Sequence, residues 1–277
     1  PAPELKGAAR ILRKNPAQRR KISTDAMRTI AETANHESCT IRRLEIDKEG
    51  KQAVAWVVWR DAESTFSKER YWLLLDGGWK AYDLEELDTG IRMSTSAAAA
   101  ANMPGSAMAS GKKAMADFQD FAMAIRSGEV EKARKLMPVV RKSVLNKVFP
   151  DVLDVLEANV LMMEEKLDDS IRLLERLEKR RPDMPVVHYL KATAYSHQKK
   201  HGEVIAAAGR YIDFLGEDRD MLNLMANAHA ELKQPDKAKA LALRTLAMEP
   251  DDGEAMILFA SHAAAGDAAT LDSLLKK

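Results

Sequence analysis

From residue 113 onward, apolar side chains recur at intervals of three and four, the rhythm of helices that bury one face. Breaks in that rhythm predict ten helices in five pairs: 113–127 with 129–147, 151–164 with 168–181, 185–199 with 201–215, 218–232 with 235–248, and 253–264 with 267–276. The same kinds of residue return every 34 positions. Ala158, Ala192, Ala226 and Ala260 form one column, and Leu161, Tyr195, His229 and Ala263 stand three residues after them. Twelve residues after the first three alanines come Ser170, Val204 and Ala238, mostly small side chains where two helices must approach closely. Pro182, Gly216 and Pro250 break the chain at the same interval. The first pair is out of phase with the rest, although Gly128 to Ala133 has the composition of the same inter-helix turn.

Before residue 95 the period shifts toward two. Residues 40–47, 52–60 and 66–75, then Trp79 to Asp83, predict four strands separated by Asp/Gly-rich turns. Connections this short join only antiparallel neighbours, which makes the sheet a meander. On the second strand Val54, Trp56 and Val58 face one way and Ala55, Val57 and Trp59 the other. Both faces are apolar and both need a cover. A helix over 23–36, capped by Ser23 or Thr24 and carrying Met27, Ile30 and Ala34, is expected on one, and the helical array or a partner on the other. Residues 1–22 form a basic leader with seven Lys/Arg against the single acid Glu4. No aromatic is interleaved there to stack on bases, so a solvated segment is expected. Residues 95–112, rich in Ala, Ser, Gly and Met, are expected as a linker or a frayed helical connector. The domain plan is therefore 1–22 leader, 23–94 small α+β domain, 95–112 linker and 113–277 helical repeats.

The 34-residue helix–turn–helix unit resembles the tetratricopeptide repeat. That resemblance implies a mainly α fold, a right-handed superhelix of about five pairs whose first helices line a concave groove. With the repeated alanine as position 8, position 5 of each unit is Val155, Tyr189, Asn223 and Ile257. Position 9 is Asn159, Thr193, Asn227 and Ser261, and position 12 includes Met162, Ser196 and Ala230, with Glu231 beside it. These residues would form the groove floor. Asn223 and Asn227, spaced i,i+4, suit the backbone of an extended peptide because an amide both donates and accepts. Asn159 repeats the arrangement, and Tyr189 would be an aromatic anchor. A carboxylate clamp is not expected, since Val155 and Tyr189 stand where it would place basic residues. The resemblance thus implies a non-enzymatic adaptor for an internal peptide segment or a folded partner.

A second resemblance lies in Tyr71 to Leu84, running on to Gly90-Ile91-Arg92-Met93-Ser94. A strand, a tight Asp/Gly turn and a Trp-Lys-x-Tyr-Asp strand are similar to the hairpin of NTF2-like and cystatin-like α+β sheets. The region is shorter than a full NTF2-like cone. It supplies the alternative reading, a small-ligand or lipid-binding module with a pocket lined by Trp56, Trp72, Trp79 and Tyr82.

Composition narrows the field further. A net charge of +1 argues against a global nucleic-acid field, and no apolar run reaches the length of a membrane span. A single cysteine, Cys39, excludes an internal disulfide and a thiolate cluster. Gly105 to Lys113 has the wrong glycine spacing for a phosphate loop, and His197 with His201 lacks a completing ligand for a metal. His36 and Cys39 have no recognisable oxyanion element near them. Asp83, Glu85, Glu86 and Asp88 are expected as a solvated acidic turn. No catalytic residue, metal or cofactor is predicted; the partner is a protein or peptide, and exposed terminal helices or the two-faced sheet offer a route to self-association.

Overall fold

A computed structural model describes residues 36–61, 66–102 and 108–263. The basic leader, nearly all of the helix expected over 23–36 and the helix expected over 267–276 lie outside the described residues. The chain packs as two compact units, residues 1–160 and 161–277.

The first unit opens with the antiparallel meander β1 (His36–Ile46), β2 (Gln52–Asp61), β3 (Phe66–Leu75), β4 (Trp79–Glu86) and β5 (Ile91–Arg92), neighbours in chain order throughout. The short β5 extends the four strands expected. One irregularity sets the register of a cross-strand row, opposite Trp72 and Leu73, where β4 steps from Asp83 to Ala81; two more, between His36 and Ser38 and between Ile41 and Arg43, lie toward the start of β1. The result is one row across all five strands: Arg43 opposite Trp56, Trp56 opposite Arg70, Arg70 opposite Glu85, and Glu85 opposite Arg92.

Helix α1 (Met93–Asn102) follows β5 directly, within the alanine-rich stretch expected as a linker or frayed connector. Alanine is the strongest helix former, so low complexity here still encodes a helix. Then come α2 (Met108–Arg126), α3 (Val130–Lys142), the single turn α4 (Leu145–Val148) and α5 (Pro150–Met163). Phe121, Ala124, Ala133, Met137, Val140, Leu153 and Val160 make their core. Arg141 pairs with Asp154 and Glu157 and ties α3 to α5.

The second unit contains α6 (Leu167–Arg180), α7 (Pro185–His197), α8 (His201–Leu215), α9 (Arg219–Glu231), α10 (Pro235–Met248) and α11 (Gly253–His262). The columns seen in the sequence are packing positions. Ala192, Ala226, Ser170 and Ala238 are fully buried, and so is Ala158 in the first unit. Ala260, at the end of its column, is exposed. The backbone has the same period: Glu165, Lys199 and Lys233, again 34 apart, have φ of 60°, 58° and 58°. Each closes the first helix of a pair with a 6→1 hydrogen bond, from Lys166 N to Leu161 O (2.8 Å), Lys200 N to Tyr195 O (3.0 Å) and Gln234 N to His229 O (2.9 Å). Gly128 plays the same part in the first unit, with φ of 69° and Glu129 N donating to Ala124 O at 2.8 Å.

A left-handed conformation costs a side chain about 1–2 kcal/mol, whereas glycine adopts it freely at some expense in unfolded-state entropy. Lys233→Gly is therefore expected to raise the stability by about 0.5–1 kcal/mol in chemical denaturation followed by helical circular dichroism. A neutral or destabilising result would mean that the Lys233 side chain makes a compensating contact.

Candidate functional site

Helices α7, α9 and α11 are the first members of successive pairs, and α9 lies against both α7 and α11. Their common face carries most of the groove residues expected from the sequence. Tyr189, Thr193 and Ser196 on α7 are half-buried, as is Ala230 on α9; Asn227, Glu231 and Ser261 are exposed. Ile257 on α11 leaves 69% of its surface to solvent.

Three expected groove residues need correction. Asn223 is only 5% exposed, and its amide is spent inside the fold. Its Nδ2 donates to Asp252 (3.2 Å) and Glu254 (3.4 Å), and its Oδ1 accepts from the Thr245 hydroxyl (3.0 Å). It joins α9 to α10 and to the start of α11. Val155, in the first unit, is buried, because position 5 of α5 turns into the core. Asn159 donates its amide to the Val155 carbonyl at 2.9 Å. Thr193 and Ser261 bond back in the same way, to Tyr189 O (3.1 Å) and Ile257 O (2.7 Å), which ties down their hydroxyl protons. Asn227 differs, reaching across to the Glu254 carboxylate. Met162 is half-buried at the end of α5.

Between the end of α7, the start of α8 and the flank of α9 lies a cavity of about 250 Å³. Val204, Leu224 and Ala228 give it an apolar floor, Lys199 and His201 a basic wall, and Ser196, Asn227 and Glu231 a polar rim. Ser196, Asn227 and Glu231 are three of the expected groove residues. Lys199 and His201 were not expected there; the only sequence signal for them was their place in the turn between paired helices. The left-handed backbone at Lys199 starts the reversal that brings that turn beside α9.

The decisive observation is a helix pair that repeats every 34 residues with the same left-handed turn and the same buried small residues. The helical part is a tetratricopeptide-type array. No family model matches the chain, and no curated protein matches it. Solved structures with a similar fold include MamA, with 15% identity over 60% of this chain and 88% of that one and a TM-score of 0.46. A double mutant of MamA RS-1 shows 13% identity over 59% and 93%, with a TM-score of 0.49. A thermophilic tetratricopeptide protein of Thermus thermophilus, TTC0263, shows 14% identity over 61% and 90%, with a TM-score of 0.45. A shared fold at such identities does not carry a shared partner.

Charge pairing holds the tetratricopeptide helices in register. Glu178 on α6 accepts from Lys191 Nζ on α7 (2.8 Å) and from Arg210 Nη1 on α8 (2.6 Å). His188, next to Tyr189, is buried with its ring stacked on Phe214 at 5.7 Å and its Nδ1 3.9 Å from Glu178. Burial works against the Glu178 carboxylate, but the Lys191 hydrogen bond and the charges of Lys191, His188 and Arg210 outweigh it and hold it below its ordinary range. For His188, burial is the dominant influence and lowers the imidazole pKa, only partly opposed by Glu178.

Unfolding therefore takes up a proton at this histidine once the pH falls below the free-imidazole value of 6.5. The contribution is complete above that pH and is lost as the pH drops through it toward the depressed folded value. In His188→Phe, which keeps an aromatic ring against Phe214, the stability loss between pH 7 and pH 5 is expected to be smaller than in the parent. Parallel pH profiles in urea titrations would show that His188 is not the source.

The sheet does not assemble the alternative pocket. Trp56 and Trp72 share one face, but Trp79 pairs with Leu75 on the other, and Tyr82 sits at the β4 irregularity; both are exposed. Arginines occupy the indole faces that a ligand would need. Arg43 stacks on Trp56 at 4.8 Å, and Arg70 and Arg92 stack on Trp72 at 4.9 and 3.8 Å. The acidic turn is also corrected. Asp83 and Glu85 are buried: Glu85 binds Arg70, while Asp83 binds Arg92 and accepts from Ser94 N (3.0 Å) and Oγ (2.7 Å) at the start of α1. Glu86 and Asp88 are exposed as expected. Among the described residues, no cluster of His, Cys, Asp and Glu could hold a metal ion, and no helix is long and apolar enough to cross a membrane.

Proposed function

We propose that this chain is a non-enzymatic interaction adaptor that binds a peptide or partner surface on the face formed by α7, α9 and α11. The observation that carries this reading is the cavity beside α9, where Ser196, Asn227 and Glu231 meet Lys199 and His201 over an apolar floor. A cavity of about 250 Å³ suits one large side chain of a partner rather than a cofactor, whose sites start at roughly 300 Å³. The polar rim offers donors and acceptors of both charges to the flanking backbone and side chains. Ile257 supplies a second, apolar contact on the same face, and Tyr189 an aromatic one, tilted on Tyr211 of its own helix pair at 5.8 Å.

A displayed peptide library panned on the intact chain tests the proposal. Enriched peptides are expected to lose about tenfold in affinity when Asn227→Ala is combined with Glu231→Ala, and again with Ile257→Ser. All three positions are exposed, so the thermal melt is expected to stay within a degree or two of the parent. Peptides that bind parent and variants alike would place recognition elsewhere; an unproductive library would argue for a folded partner or for another function.

A further inference from the structure

We infer that β1 is the seam of a two-fold dimer, pairing antiparallel with β1 of a second copy of this chain about an axis through Leu44. Strand β1 is 11 residues long and stands at one edge of an open sheet, where among the described residues it pairs with β2 alone. Edges of soluble sheets are usually kept short or guarded by charge, because an unpaired strand templates another. β5, at the opposite edge, has two residues. β1 is long and leaves Ile41, Leu44 and Ile46 exposed by 58%, 50% and 54%. Their pairing with Val57, Ala55 and Ala53 places all three on one face of the sheet. Small buried residues on β2 leave that face low, so the β1 side chains stand proud of it.

The last five residues of the strand, 42–46, are complementary to themselves. In an antiparallel pair, residues directly opposite share a face. An axis at Leu44 sets Leu44 against its own copy. It also sets Arg43 against Glu45 of the second copy, and Glu45 against that copy's Arg43, on the face that carries Trp56. Arg43 and Glu45 are already neighbours within one strand, with side chains 40% and 52% exposed, so both can serve a second ion pair. Ile46 falls opposite Arg42, at the irregularity beside Ile41, where an arginine stem can cover an apolar side chain. Moving the axis by one residue sets Arg43 against Arg43 or Glu45 against Glu45. Charge thus disfavours both adjacent registers. A strand from an unrelated protein would match this palindrome only by chance; a second copy matches it by symmetry.

Sedimentation equilibrium of the full chain across the micromolar range is expected to show a monomer–dimer equilibrium. Each substitution enters a two-fold interface twice, so Leu44→Lys and Glu45→Lys are each expected to weaken dimerisation by about tenfold or more. Adding Arg43→Glu to Glu45→Lys exchanges the charges and is expected to recover a substantial part of the loss. Glu45 is exposed, so its substitution tests the seam even if Leu44→Lys perturbs folding. A chain that stays monomeric throughout, its edge covered from within or reserved for another protein, would overturn the inference. So would a dimer indifferent to Leu44→Lys and Glu45→Lys.

Discussion

Glu85→Gln is expected to destabilise the sheet by about 3–5 kcal/mol, a large effect for one atom exchanged. Glu85 is 1% exposed and Arg70 5%, and they face each other on adjacent strands, with Arg70 Nε donating to Glu85 at 3.0 Å. Neutralising the acid takes from a guanidinium out of water the carboxylate that faces it. Arg70 also stacks on Trp72, and it lies between the Trp56 and Glu85 positions of the row. Removing both partners is a different matter. Arg70→Met with Glu85→Leu is expected to cost less than Glu85→Gln alone, because no uncompensated charge remains and apolar atoms fill the space. All four tryptophans lie in β2, β3 and β4, so urea titrations followed by indole emission report on this sheet. A Glu85→Gln variant within about 1 kcal/mol of the parent would mean that the carboxylate is in contact with water, and the row would then be a surface feature.

The array was legible in the sequence because its signal is periodic. A buried small residue at every thirty-fourth position is a packing demand that no local context can disguise, as Ala158, Ala192 and Ala226 show. The sheet was legible as strands, but its cross-strand row was not. Which residue of β1 meets Trp56 depends on the turn at 47–51, and which residue of β4 meets Trp72 depends on the extra residue there. Nothing in composition fixes either. For the same reason Asp83 and Glu85 read as a solvated turn when their partners, Arg92 and Arg70, come from other strands. The candidate site was half legible. Helical spacing placed Ser196, Asn227 and Glu231, which line the cavity, and the exposed Ile257 in one stripe. It could not tell which members of the stripe the next repeat would cover, since that depends on Asp252 and Thr245 closing over α9. Lys199 and His201 come from a turn rather than from the stripe, and their place on the cavity wall follows from the left-handed backbone.

Asn223 and Asn227 are one helical turn apart and identical in chemistry, yet opposite outcomes are expected from removing them. Asn223→Ala is expected to cost about 2–3 kcal/mol, because the Thr245 hydroxyl, itself fully buried, keeps only the longer bond to Leu241 O (3.4 Å) and two carboxylates lose a donor. One of those carboxylates, Asp252, caps α11 by accepting from Ala255 N at 2.7 Å. Its orientation depends on both bonds, so the loss is expected to loosen the entry of α11 as well. Thr245→Val in the Asn223→Ala background is expected to cost less than Thr245→Val in the parent, since the hydroxyl then has no amide to satisfy. Asn227→Ala is expected to change stability by less than about 0.5 kcal/mol, for its bond to Glu254 is a solvent-exposed one. Helical circular dichroism in guanidinium titrations measures all four variants. If Asn223→Ala proved as harmless as Asn227→Ala, the buried amide would be replaceable by water, and Asn223 would return to the groove as a residue a partner can reach. If it proves costly, binding lost in an Asn223 variant reports a damaged repeat, and Asn227 is the position at which recognition can be tested cleanly.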